Sequence, residues 1–243
     1  MENNQKPETS SLRRWKIKVI KKEGNPRLRK IRLEGKDKLV TLNLVPGTNV
    51  YGEAILKLDG EDYRIWDPFR SKLSAALLNG LNNFPIIEGS RMLYLGTSTG
   101  TTASHVSDII GDEGIIFAVE NAPRVAREFI ERVALKRKNV IPIVEDARKP
   151  NSYTAIFTKV NIVYCDIAQR DQTEIAIMNC KRHLIKGGNI LLIIKSRSID
   201  ANIDPERIFQ QEISKVEKEG FKIQQIIKLD PFDKDHIMIN AIF

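Results

Sequence analysis

Four charged residues follow apolar runs closely enough to share one end of a sheet. Glu120 closes GIIFAVE, Asp146 ends VIPIVED, Asp166 ends VNIVYCD and Lys195 closes NILLIIK. A further run, MLYLG, opens into GTSTGTTASH, where Gly96 and Gly100 let the backbone turn tightly and approach a ligand closely. In an open α/β sheet, ligands gather outside the carboxyl ends of the strands, so these residues face one site. Glu120, 24 residues after Gly96, is placed to take both hydroxyls of a ribose, and Asp146 offers an acceptor to an adenine amino group. NAD and S-adenosylmethionine both carry those groups. A phosphate loop would need Lys-Ser/Thr after its last glycine, whereas Gly100 is followed by Thr101 and Thr102. A dinucleotide fold would prefer Gly-x-Gly-x-x-Gly over the Gly-x-x-x-Gly present here, so hydride chemistry is the second choice. Lys195 raises a separate question, because an ammonium at the end of five consecutive aliphatic residues is costly to bury.

The elements that position these residues are legible in the periodicity. From Arg91 onward, apolar runs alternate with helical patterns such as PRVAREFIERVALKRK and QTEIAIMNCKRHLI, the first with Pro123 at a favoured first-turn position. Continuous hydrophobicity in those runs predicts strands buried on both faces, hence a mostly parallel sheet covered by helices. Only PFDKD separates FKIQQIIKLD from HIMINAIF, too short for a crossover, so the last strand is antiparallel. Upstream, WKIKVIK, KLVTLNLV and AILKLDGEDYRIWD read as short strands, with Asp59-Gly60 as a hairpin turn. SKLSAALLNGLNNF places Leu73, Ala76, Leu77, Leu81 and Phe84 at helical spacing. The expected division is a flexible basic tail over 1–14, a small β-rich domain with its linking helix over 15–85, and a catalytic domain over 86–243.

Composition narrows the class. A chain of 243 residues with 42% apolar content holds one large core and a small satellite. The net charge of +8 is all N-terminal: residues 1–40 carry 13 Lys/Arg against 5 Asp/Glu, and the remainder balances at 26 each. Such an excess serves either solubility or contact with a phosphate backbone. Cys165 and Cys180 lie inside apolar runs with no metal-site or disulfide spacing, which suits a reducing compartment. No segment approaches the roughly 20 apolar residues of a membrane span, and a cytoplasmic location is expected.

The motifs YLGTSTGTTASHVSDIIG, AVENAPR, DIAQ, IIKSRSID and FDKDHIM, with LVPGTNVYGE and YRIWDPFRSKLSAALLNG before them, resemble the fibrillarin family in its shorter archaeal form. The resemblance runs in collinear order over residues 38–243. It implies a class I S-adenosylmethionine methyltransferase fold, with S-adenosyl-L-methionine as cofactor and no metal. The implied activity is ribose 2′-O-methylation of rRNA and tRNA. Box C/D guide RNA would direct that reaction by pairing with substrate RNA. A Nop-domain scaffold and a kink-turn-binding, ribosomal-protein-like subunit are the implied protein partners, in an archaeal cell without a nucleus. The family's cofactor contacts fall on Gly96, Gly100, Thr101, Thr102, Glu120, Asn121, Asp146, Ala147, Asp166, Ile167, Ala168 and Gln169. Its catalytic set falls on Lys72, Asp166, Lys195 and His236.

The resemblance also answers the question of Lys195. A ribose hydroxyl must lose its proton as it attacks a methyl group, and a neutral amine is a competent base. Burial and a neighbouring cation such as Lys72 favour the neutral amine, while Asp166 favours the ammonium. Two departures stand out. Asn121 replaces a common aromatic, implying weaker packing on adenine, and Cys165 replaces a common acid, with little expected chemical consequence. His105 and His183 read as structural. A stand-alone RNA methyltransferase and a small-molecule methyltransferase are the alternatives, the latter leaving the basic N-terminus unexplained.

Overall fold

A computed structural model describes residues 17–22, 25–157 and 159–243. The basic tail expected over residues 1–14, and Trp15 after it, lie outside the described residues.

The N-terminal region forms a five-stranded antiparallel sheet in the order β1-β2-β3-β5-β4. Its strands are β1 (Ile17–Lys22), β2 (Leu28–Leu33), β3 (Lys36–Leu42), β4 (Ile55–Leu58) and β5 (Glu61–Trp66). Asp59 and Gly60 form the expected hairpin turn, closing Leu58 against Glu61. Strand β2 escaped the sequence reading because LRKIRL holds three cations in six residues; in the fold Leu28, Ile31 and Leu33 are buried.

Helix α1 (Lys72–Leu78) follows, shorter than its sequence pattern suggested. The chain leaves the helix at Asn79, whose side-chain amide donates to Lys228 O at 2.8 Å and Asp230 O at 2.7 Å. Leu81 and Phe84 therefore lie beyond the helix, Leu81 still buried.

The rest alternates as expected. β6 (Arg91–Leu95), α2 (Thr101–Ile110), β7 (Ile115–Glu120), α3 (Pro123–Arg132), β8 (Val140–Val144), β9 (Val160–Cys165) and α4 (Gln172–His183) follow in order. Then come β10 (Leu184–Lys195), a single turn α5 (Ser196–Ile199), α6 (Pro205–Lys218), β11 (Lys222–Lys228) and β12 (His236–Ile242). The seven strands run β11-β12-β10-β9-β6-β7-β8, with β12 antiparallel to both neighbours. Helices cover both faces, so Leu93, Val163 and Leu192 on one face and Ile162, Leu191 and Ile193 on the other are fully or almost fully buried. This is the mostly parallel sheet with a reversed last strand that the sequence pattern implied, and the class I methyltransferase architecture that the resemblance implied.

A buried ionic knot fixes the small sheet to the large one. Asp108 on α2 pairs with Arg64 of β5 at 2.8 Å and with Arg137, ahead of β8, at 2.6 Å, and all three side chains are buried. Arg64 also reaches Glu53 Oε1 at 2.6 Å and Ser104 Oγ at 2.8 Å. Thr41 Oγ1 donates to Asp108 Oδ2 at 2.8 Å, and Leu44 N to Oδ1 at 2.9 Å. His105 joins the knot, with Nδ1 2.8 Å from Thr41 Oγ1, Nε2 2.7 Å from the Tyr51 hydroxyl, and its ring stacked on Trp66. Thr41 spends its proton on Asp108, so His105 Nδ1 donates and Nε2 accepts from Tyr51. Burial, reinforced by Arg64 and Arg137, pushes its pKa far below the usual imidazole range. Both histidines read as structural are buried in the framework; His183 packs on Tyr153 and holds Pro150 O at 2.9 Å.

Candidate active site

The carboxyl ends of β6, β7, β9 and β10 and the loop after β8 converge on a cleft of about 360 Å³, within the usual range for small-molecule sites. Gly96, Glu120, Asn121, Asp146, Ala147, Asp166, Ile167, Ala168 and Gln169 all line it, as does Lys195. Thr101 and Thr102 line an adjoining recess of about 160 Å³ that shares Gly96 and Asp166 with the cleft. Gly100 lines neither; it is buried at the start of α2.

The glycines set the loop. Gly96 takes φ +79°, and a Cβ there would stand 2.8 Å from Ile167 Cγ2 and 3.1 Å from Asp166 O. Gly100 takes φ +97°, with Val133 and Phe129 of the neighbouring element at 2.5 and 2.8 Å from the same hypothetical atom. Both positions combine a left-handed backbone with a close approach that excludes side chains.

Glu120 braces that loop: its carboxylate accepts from Ser98 N and from Ala122 N, each at 3.0 Å. Two accepted bonds leave lone pairs free on both oxygens, enough for a diol. On the opposite wall, Arg148 pairs with Asp171 at 2.7 Å and donates to Gln169 Oε1 at 3.0 Å, holding the segment after Asp166 against the loop after Asp146. Asn121 is exposed at the rim. Burial pushes the Cys165 thiol up to about 12, so the residue preceding Asp166 stays an inert thiol.

At the floor, Lys195 Nζ lies 2.7 Å from Asp166 Oδ1 and donates to the Asp166 carbonyl at 2.8 Å. Both side chains are 13% exposed. Lys72 Nζ, on the first residue of α1, approaches the same Asp166 oxygen at 3.4 Å. Lys195 is thus neither dry nor unpaired: one carboxylate oxygen attracts two ammonium groups. His236 faces Lys195 directly across the β10–β12 pairing.

Asp233 completes the cluster and was missed in the sequence. It stands 3.5 Å from Lys72 and 2.9 Å from His236 Nδ1. Burial opposes its ionisation, but the His236 hydrogen bond and the charges of His236 and Lys72 outweigh it and hold the carboxyl below its usual range. The available signal was an acid three residues before His236 in FDKDHIM, a spacing that a short loop folds into contact.

Second contacts hold these groups in place. Gln172 Oε1 accepts from Lys195 N at 3.0 Å. The Ser71 hydroxyl, at the α1 cap, lies 2.8 Å from that of Thr102 on α2, tying Lys72 to the glycine loop. Among the described residues, no group of three His, Cys, Asp or Glu could hold a metal ion.

Comparison with known proteins finds relatives over most of the chain. The family model described as Fibrillarin matches residues 23–243. A fibrillarin-like rRNA/tRNA 2′-O-methyltransferase of Thermococcus sibiricus is 52% identical over 206 residues, spanning 85% of this chain and 90% of that one. The crystal structure of Aeropyrum pernix fibrillarin with natively bound S-adenosyl-L-methionine superposes with a TM-score of 0.83 at 46% identity, covering 89% of this chain and 94% of the other. A fibrillarin/Nop5p complex gives 0.76 at 40% identity, with 84% and 93% covered.

Proposed function

The chain belongs to the fibrillarin family, and from that premise we propose that it methylates ribose 2′-oxygens of rRNA and tRNA with S-adenosyl-L-methionine, directed by a box C/D guide RNA. The observation that carries this reading is the meeting of Lys72 and Lys195 on one oxygen of Asp166, at the floor of a cleft with carboxylates at its far end. The cleft fits the cofactor by chemistry. Glu120 would offer lone pairs to a ribose diol, Asp146 and Ala147 would border the adenine, and Thr101 and Thr102, in the adjoining recess, would lie toward the amino-acid end. When bound, the cofactor supplies an electrophilic methyl group on a sulfonium.

The chain's own residues do the rest. Asp166 anchors Lys195 Nζ, and Lys195, once its ammonium has released a proton to solvent, would receive the hydroxyl proton as the oxygen bonds to the methyl carbon and that carbon's bond to sulfur breaks. Lys72, shared between Asp166 and Asp233, keeps positive charge beside the oxygen that is becoming negative. His236 locks Asp233 and borders the acceptor side. Placing these groups on strand ends and on a capped helix fixes their separations before substrate arrives.

The fibrillarin/Nop5p relative supports a Nop-domain scaffold as partner, and the assembly is completed by a kink-turn-binding subunit. Specificity then resides in guide pairing, since cationic contacts to phosphate carry no sequence information and weaken with salt. Reconstitution with guide and partners at about 0.15 M salt is expected to methylate one nucleotide, which moves when the guide sequence changes. Efficient methylation of one RNA position by the isolated chain would replace this reading with a stand-alone RNA methyltransferase.

A further inference from the structure

The charged lining of the recess beside the reaction centre is Arg70 and Lys72 against Asp166, and Asp166 is already approached by two lysines. Arg70 enters from the turn DPFR ahead of α1 and is held there. Its N donates to Asp67 O at 3.2 Å, its Nη1 donates to Tyr51 O at 3.0 Å, and its guanidinium lies 4.7 Å from the centre of the Tyr51 ring. Among the described residues no carboxylate comes within ion-pair distance of Arg70, in contrast to Lys72 and Lys195. An oriented guanidinium thus keeps four N–H groups unspent.

The start of α2 forms another wall. Thr101, Thr102 and Ala103 precede the first intrahelical donor, Ser104 N, which reaches Gly100 O at 2.9 Å. No side chain caps their N–H groups, and the helix dipole adds partial positive charge at this end. An uncapped helix start is ordinary, but Thr97 gives a separate sign. It lines the same recess, is 3% exposed, and its buried Oγ1 meets no hydrogen-bond partner among the described residues. A buried hydroxyl left unpaired is costly, and a ligand oxygen in the recess removes that cost. A guanidinium fork, backbone N–H groups and a hydroxyl gathered on one small space select a carboxylate over a neutral group. The recess shares Gly96, Ser98 and Asp166 with the cleft, so a donor whose ribose sits at Glu120 extends its amino-acid end this way, and that end carries the donor's single carboxylate.

We propose that Arg70 is a donor-binding residue: with Thr97 and the start of α2 it holds the α-carboxylate of S-adenosyl-L-methionine, and so selects donors that carry that group. The proposal rests on the donor reading above and adds a residue outside the set that the resemblance named. Arg70 acts on donor affinity and selectivity, while Lys72, Asp166 and Lys195 act on the transfer.

The test compares calorimetric Kd values of the full chain for S-adenosyl-L-methionine and for decarboxylated S-adenosylmethionine, which keeps the adenosine, the sulfonium and the amino group. Arg70→Ala is expected to weaken the first by about tenfold, the scale of one charged hydrogen-bonded contact near solvent, and the second by less than about twofold. Arg70→Lys should recover part of the loss, since it keeps the charge but not the fork. Thr97→Val should lower affinity for the carboxylated donor by about threefold while leaving Tm of the free chain equal or higher, because the hydroxyl it removes has no partner to lose. Equal losses for both donors in Arg70→Ala, or no loss for either, overturn the proposal. So does a wild-type chain that binds the decarboxylated donor as tightly as the complete one. An unchanged donor Kd with a raised KM for substrate RNA in the guide-directed assembly also overturns it, and assigns the guanidinium to RNA phosphate. If the wild-type chain binds neither donor, the functional reading itself falls, a result separate from normal donor binding that ignores Arg70.

Discussion

The proposed chemistry turns on Asp166, whose Oδ1 is approached by Lys195 at 2.7 Å and Lys72 at 3.4 Å. Lys195→Arg keeps the charge but removes a usable base, so turnover should fall by about 10²-fold or more while donor affinity holds. Near-normal single-turnover rates in that variant would reduce Lys195 to an electrostatic role. Glu120→Ala should weaken donor binding by about 1–3 kcal/mol, read by calorimetry, with loosening of the loop through loss of the Ser98 and Ala122 bonds. Asp233 is opposed by burial but held low by His236 and Lys72. A carboxyl depressed in the fold contributes stability above its unfolded value near 3.9 and loses it as pH falls through the folded value. From pH 5 upward its contribution is therefore constant. A pH–rate profile over about pH 5–9 should contain no inflection that Asp233→Asn removes.

At the scale of elements, the turn from β6 into α2 brings backbone, cofactor wall and helix packing together. Gly100→Ala would force a left-handed backbone on a residue with a Cβ and drive that atom into Val133 and Phe129. The cost is about 2–4 kcal/mol, relieved in part by moving α2 off α3. Thermal melting should show the loss of stability, and donor affinity should drop with it because Thr101 and Thr102 move. A melt unchanged within one degree or so would mean that the loop does not depend on this close approach. Helix α1 is stitched at both ends, by Ser71 to Thr102 and by Asn79 to Lys228 O and Asp230 O. That double attachment is how a helix of seven residues holds Lys72 in place although no single contact of it is large.

For the whole molecule, the buried knot of Asp108, Arg64, Arg137, Glu53 and His105 locks the small sheet onto the catalytic one. Removing one partner of a buried pair strands the others, so Arg64→Ala should cost about 3–5 kcal/mol in chemical denaturation. A loss below 1 kcal/mol would show that the sheets are joined by apolar packing alone. His105 is kept neutral by burial and the two arginines, and His183 is shifted in the same direction by burial. A histidine depressed in the fold stabilises fully above its unfolded value near 6.5 and progressively less as pH falls below it. Tm should therefore be flat above about pH 7 and decline toward pH 5, and His105→Asn should shallow that slope.

The sequence by itself determined the order of strands and helices from Arg91 onward, the reversed last strand, the strand-end carboxylates and the glycine loop. Those features are local: strand burial shows as unbroken aliphatic runs, and a short connection permits only an antiparallel return. Strand β2 was hidden because cations occupy its half-buried and exposed positions, and α1 looked longer than it is because the helical spacing continues past an asparagine spent on distant carbonyls. The resemblance named Lys72, Asp166, Lys195 and His236 and set Lys195 near Lys72 and Asp166, yet not which atoms would meet or what would hold Lys72 and His236. Only the tertiary structure decided that Lys72 and Lys195 share one oxygen, that Asp233 completes the cluster, and that His105 and Asp108 bind two sheets together. Each of those pairings joins segments far apart in the chain or across a folded turn. The charge a side chain meets there depends on distances that form only when the sheets close, whereas its position along a strand is written in the pattern of its immediate neighbours.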